Sequence, residues 1–196
     1  MQIKSFLTVL TVAVLGMSAQ AITINFQSNG TSQSLGSSSV FSFTGGSLTA
    51  YASPGISMNN LYAKSAGGDE TGLGLTSDPT GDHEISGSFY IQLLASSGAA
   101  ISSVSIGSAT SPDVAQVYVS TALGSLGTFL ASTNADGTIS IPAQYQTGYY
   151  INIASGGGNV LLDSATVGSV PDGGSTLVLL GSSLAAIGLI RRKLQA

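Results

Sequence analysis

From Glu84 to Leu94 the residues alternate. Ile85, Gly87, Phe89, Ile91 and Leu93 fall on one side of an extended chain, and Ser86, Ser88, Tyr90 and Gln92 on the other. A two-residue period sets one face of a strand on a core and the other toward solvent. Shorter alternating runs recur over residues 22–169 with turn residues between them, and no stretch there sustains a 3.6-residue apolar period. Strands are expected at Ile22–Phe26, Val40–Thr44, Ser47–Tyr51, Ile101–Ile106, Val114–Ser120, Gly127–Ser132, Thr138–Ile141, Tyr149–Ala154 and Asn159–Val167. Gly45-Gly46 between the second and third is a two-residue hairpin signal, and Asp136-Gly137 marks another turn. Roughly nine or ten strands at this spacing predict an all-β fold, an antiparallel, jelly-roll-like β-sandwich.

Such a domain must hold together without staples, because the chain has no cysteine. That also excludes thiol catalysis and thiolate metal sites. Only 7% of residues are charged, against about 25% in an average soluble protein. Between Ile22 and Ser169 eight acids face one base, Lys64, a formal balance of −7. A domain with one lysine and no arginine cannot neutralise a phosphate backbone, so nucleic acid is excluded as a partner. Its solvent faces are expected to carry serine, threonine and glutamine in place of charge.

The remaining bases lie at the two ends. At the N-terminus Lys4 precedes an uncharged, mostly apolar run of twelve residues, Phe6 to Met17. Ala19-Gln20-Ala21 then supplies small residues where signal peptidase reads them. The pattern predicts a signal helix over residues 1–21, cleaved after Ala21, and hence an exported protein. At the C-terminus Val170-Pro171-Asp172-Gly173-Gly174 breaks regular structure, and Ser175 to Ile190 follows without a charge. Arg191, Arg192 and Lys193 close the segment as a basic stop. Sixteen helical residues reach about 24 Å, somewhat short of a hydrocarbon core of roughly 30 Å. Snorkelling arginine stems make up part of the difference. A transmembrane helix over 175–190 is therefore expected, with the basic end cytoplasmic and the β domain of residues 22–169 outside.

The last 27 residues resemble a PEP-CTERM sorting tail, and more narrowly its VPDSG-CTERM variant. Val170-Pro171-Asp172-Gly173-Gly174-Ser175-Thr176 leads into Leu179-Leu180-Gly181, with Gly173 where the variant's name has serine. The resemblance implies handling by an exosortase-like membrane protease, transient anchoring in the inner membrane and delivery to the cell surface or extracellular matrix. It also implies an association with exopolysaccharide.

For chemistry, the densest polar stretch is Gly67 to Leu75, followed by Asp78, Asp82, His83 and Glu84. Two readings stand side by side. One is a solvated loop between strands; the other is a calcium site with Asp69, Glu70, Asp82 and Glu84 as ligands, since calcium takes six to eight oxygens. The spacing matches no fixed calcium loop. No other cofactor is expected. His83 is the only histidine, and the domain has neither tryptophan nor arginine to furnish a sugar-cleaving cleft. Tyr145, Tyr149 and Tyr150 are the nearest thing to a sugar-stacking platform, although alternation places Tyr149 in the core with Ile151 and Ile153. The chain reads as a non-catalytic surface or matrix protein, with a calcium-dependent carbohydrate-binding module as the alternative and a hydrolase a distant third.

Overall fold

Fourteen strands, all paired antiparallel, make up the described part of the protein, for which the structure is a computed structural model. It describes residues 20–26, 31–54, 59–68 and 70–169, together with Gly181, Ser182, Leu184, Ile187 and Arg191. In chain order the strands are β1 (Ala21–Asn25), β2 (Gln33–Gly36), β3 (Ser38–Phe43), β4 (Gly46–Ser53), β5 (Leu61–Ser65), β6 (Thr71–Leu75) and β7 (Ile85–Ser86). β8 (Tyr90–Ala95), β9 (Ala99–Gly107), β10 (Val114–Ser120), β11 (Thr128–Thr133), β12 (Gly137–Ser140), β13 (Tyr150–Gly157) and β14 (Asn159–Ser169) follow.

The strands form two sheets, as the alternation requires. One runs β12-β9-β14-β6-β5-β2, with β1 and β7 also on β14; the other runs β11-β10-β13-β8-β4-β3. Val117, Ile153, Ile91 and Ala52 stand opposite one another across the second sheet, and all four are buried. They meet Leu73, Ile101, Val104, Leu162 and Val167 of the first sheet in one apolar core. This is the two-sheet sandwich that the sequence predicts.

Three expectations need correction. The long strand over 84–94 is two pieces, because Gly87 takes a left-handed φ of 61° and the Phe89 N–H donates to the Ser86 carbonyl (3.2 Å), closing a turn. Gln92 does not face solvent. It is fully buried beside Asn152 beneath the segment Thr121–Gly127, which folds across the outer face of the second sheet. The Gln92 amide donates to Asn152 Oδ1 (3.0 Å) and the Ser125 carbonyl (3.1 Å), while its own oxygen accepts from Gly124 N–H (2.6 Å) and Ser53 Oγ (2.7 Å). Tyr149 is half-exposed at the mouth of β13, its ring edge-on to Tyr145.

The signal segment, apart from Gln20 and Ala21, lies outside the described residues, as do Ala19 and the motif Val170–Gly174. Of the expected transmembrane helix, Gly181, Ser182, Leu184 and Ile187 are described and helical, as is Arg191 just beyond it; Arg192 and Lys193 are not described. Among the described residues no helix is long and apolar enough to cross a membrane.

Ile153 sits at the centre of the core with none of its surface exposed. Ile153→Ala is expected to lower unfolding free energy by about 2–5 kcal/mol, read as a reduced denaturant midpoint with an unchanged slope.

Candidate functional site

The acidic residues converge where β14 begins. Asp78 is the knot that builds this end. Its carboxylate accepts from Thr80 N–H (3.1 Å), Thr80 Oγ1 (2.6 Å), Asp82 N–H (3.1 Å), Glu84 N–H (3.3 Å) and Ser86 Oγ (2.6 Å). A short acid that receives several nearby donors winds the chain into a tight turn in place of a strand. Burial raises the Asp78 pKa, but the bonds from Ser86, Thr80 and the backbone outweigh it and hold the carboxyl below its ordinary value. The turn delivers Ser86 and Ile85 to β14, opposite Asn159 and Val160.

Beside the knot, Lys64 on β5 reaches between two carboxylates. Its ammonium bonds Glu70, just before β6, and Glu84 Oε1 at 2.5 Å. One cation shared by two acids leaves one negative charge uncompensated, and the groups divide the burden by burial. Glu70 is exposed, and its hydrogen bond from Lys64 leads the effects that lower its pKa. Glu84 is buried, and desolvation pushes its carboxyl up to about 7. Desolvation works against the Lys64 ammonium too, but its bonds to Glu70 and Glu84 raise its pKa overall. Ser108, itself at a left-handed φ of 55°, donates weakly toward Glu70 (3.4 Å) and Glu84 (3.5 Å). Asp113 accepts from Asn159 N–H at 3.3 Å. Glu70, Asp82, Glu84, Ser108, Asp113 and Asn159 thus face an open groove of about 600 Å³.

Of the four residues expected to bind calcium, Glu70 and Glu84 are brought together, with Lys64 bonded to both. Asp82 lies along the same groove, and Asp69 is outside the described residues. Among the described residues, no three His, Cys, Asp or Glu side chains are grouped so as to hold a metal ion. His83 lies against β5. Its φ is 62°, its ring lies 4.1 Å from that of Tyr62, and its buried Nδ1 has no hydrogen-bond partner. Gly74 permits this arrangement, because a Cβ there would come 1.9 Å from the His83 carbonyl oxygen.

Sequence reasoning gathered these acids into one loop, but missed that Thr71–Leu75 is strand β6, its Leu73 and Leu75 fully buried. The signal was present in the alternation of Leu73 and Leu75 with glycines. It also missed Lys64 as the partner of both glutamates, since nothing local in sequence links positions 64, 70 and 84.

At the other end of β14 the chain leaves the sandwich at Ser169, beside the start of β1, where Ala21 pairs with Gly168. A family model of the VPDSG-CTERM motif matches residues 169–194, consistent with a PEP-CTERM-type C-terminal sorting tail. The motif implies an exported protein that passes through a membrane and is processed by an exosortase-like membrane protein. No curated protein and no solved structure matches the chain.

Two outcomes test the acidic end. Because Glu84 holds its proton to a higher pH in the folded state than in the unfolded one, folding stability should decline as pH rises from about 4.5 to about 7. In Glu84→Gln that decline should vanish, as denaturant midpoints measured across the window would show. Gly74→Ala should destabilise by about 2–3 kcal/mol, because the His83 backbone must be displaced to admit the methyl group.

Proposed function

We propose that the chain is a non-catalytic exported protein. In this reading the signal is removed after Ala21, residues 175–190 anchor the chain in the inner membrane, and an exosortase-like protease acts near Val170–Gly174. The β-sandwich then reaches the cell surface or extracellular matrix, in the company of exopolysaccharide. The match of residues 169–194 to the VPDSG-CTERM motif carries this reading.

Two physical features support it. Pro171 and the two glycines of the motif are residue types that disfavour helix, which suits a segment a protease must read in extended form. The hydrogen-bonded frame closes between Ala21 and Ser169, so trimming at either predicted point leaves the core intact. Cleavage after Ala21 forfeits one register pair with β14 and keeps the pairs from Ile22 to Asn25.

Fractionation of a secreting cell tests the proposal. The tail-bearing chain should sediment with membranes and be released by detergent but not by high salt. A chain truncated after Ser169 should be soluble and outside the cytoplasm. Recovery of the full chain as a soluble cytoplasmic protein would overturn the reading.

A further inference from the structure

The sandwich is electrically lopsided along β14. That strand is eleven residues long, so its ends stand about 33 Å apart. At the Asn159 end lie Asp78 through Ser86, Asp113 through the Asn159 backbone, and Glu84 and Glu70 through Lys64. Asp136, which accepts from Ala109 N–H at 2.7 Å, belongs there too, since Gly137 pairs with Ile106 and Ile106 with Leu162. Asp163 lies partway along the strand.

The Ser169 end is different. Ser169 pairs with Ala99, Gly168 with Ala21, and Gly45 lies against Ser169. The turn Ser96–Gly98 is tied to β4 by Ser96 N–H to the Ser47 carbonyl (2.8 Å) and Ser47 N–H to Ser96 Oγ (2.9 Å). Ile101 N–H donates to the Gln146 carbonyl (2.9 Å), which brings the segment 143–149 alongside. Thr147, Gly148 and the turn Ser96–Gly98 line a groove of about 430 Å³ between them. Tyr145 and Tyr149, their rings 5.3 Å apart and both half-exposed, bracket Thr147 and Gly148 in the chain and line a second groove of about 220 Å³ with Ser120, Thr121 and Ser125. Among the described residues, none at this end carries a charged side chain.

We propose that this uncharged, tyrosine-bearing end of the sandwich rests on phospholipid headgroups while the tail is anchored. The inference builds on the membrane reading of residues 175–190. Five residues, 170–174, separate β14 from that segment, and fully extended they span about 17 Å. That tether keeps Ser169 within about 17 Å of the anchored segment, nearer than the far end of β14 needs to be. Tyrosine, with an apolar ring and a polar tip, suits the boundary between lipid and water. Carboxylates near anionic headgroups would be repelled, and the acidic groove lies at the far end of β14, about 33 Å from Ser169 or roughly four screening lengths at physiological salt. Signal removal after Ala21 adds one ammonium at Ile22, which is the sign that anionic lipid attracts.

The chain has no tryptophan, so a single introduced indole reports one position. Thr147→Trp and Ser97→Trp place it at the tail end and Asn134→Trp near Asp136, all at exposed sites. The tail-bearing chain, purified from membranes, would be reconstituted in phosphatidylglycerol-containing vesicles made with brominated lipid. Quenching at Thr147→Trp and Ser97→Trp should exceed that at Asn134→Trp several-fold. Equal quenching at all three positions, or none at either tail-end site in a chain that floats with the vesicles, would overturn the proposal and leave the anchor standing. A chain that does not float with the vesicles would overturn the anchor, and this proposal with it.

Discussion

The structure hangs on β14. It pairs with β9 along one edge and, in succession, with β7, β6 and β1 along the other. Among the described strands no other touches so many partners, and its fully buried Val160, Leu162, Ala165 and Val167 supply much of the first sheet's share of the core. A central strand that must satisfy three successive partners on one edge has its register fixed several times over, since a one-residue slip would reverse every side chain. That redundancy matters in a domain without disulfides, where burial and ladder hydrogen bonds carry the stability. It also gives the last strand of the domain a firm hold just before the tail begins.

The acidic end shows how the chain builds irregular structure where apolar alternation gives out. Asp78 gathers five donors, so the segment from Asp78 to Glu84 closes on itself before reaching β14. Lys64 then balances part of the charge that this turn and Glu70 bring together. A buried carboxylate stripped of its cation would be strongly destabilising. The single base of the domain is thus committed to Glu70 and Glu84 together. Burial raises the Glu84 carboxyl to about 7, so below that pH part of the charge is relieved by proton uptake.

The fold was legible where the period-two signal was unbroken. Val40–Thr44, Ser47–Tyr51, Ile101–Ile106 and Val114–Ser120 each became strands close to their expected limits. β2 was not legible, because Gln33–Gly36 is short and holds one large apolar residue; β5 was missed although Leu61 and Ala63 alternate as buried residues, because the run is only five residues long. Gly87 broke a run whose pattern was otherwise continuous, since periodicity does not register a left-handed residue that Gly can take without strain. Gln92 escaped for a different reason. Which outward residue a distant loop covers depends on tertiary placement of Thr121–Gly127, and no local pattern encodes it. The acids at positions 70, 82 and 84 were visible as a cluster, whereas their counter-ion was not, because β5 and β6 had to pair before Lys64 could reach them.

Low charge leaves such a sandwich with an unusual problem at its sheet edges. The edge strands β2, β3, β11 and β12 contain no charged residue, and charge on an edge is a common guard against strand addition by another copy. Other devices, short length or a register shift, take its place on three of them, while β3, six residues in unbroken register with β4, has neither. β2 and β12 are four residues long, and the pairing of β10 with β11 is interrupted by a register shift at Val117 and Tyr118. Short or bulged edges make poor templates, because they offer few aligned ladder groups and twist away from a neighbour. The acids crowded at the Asn159 end add repulsion between copies approaching by that end, but within a screening length it cannot protect the far faces. Serine and threonine on those faces remain soluble by hydrogen bonding to water instead of by charge. This solution sacrifices long-range repulsion between copies.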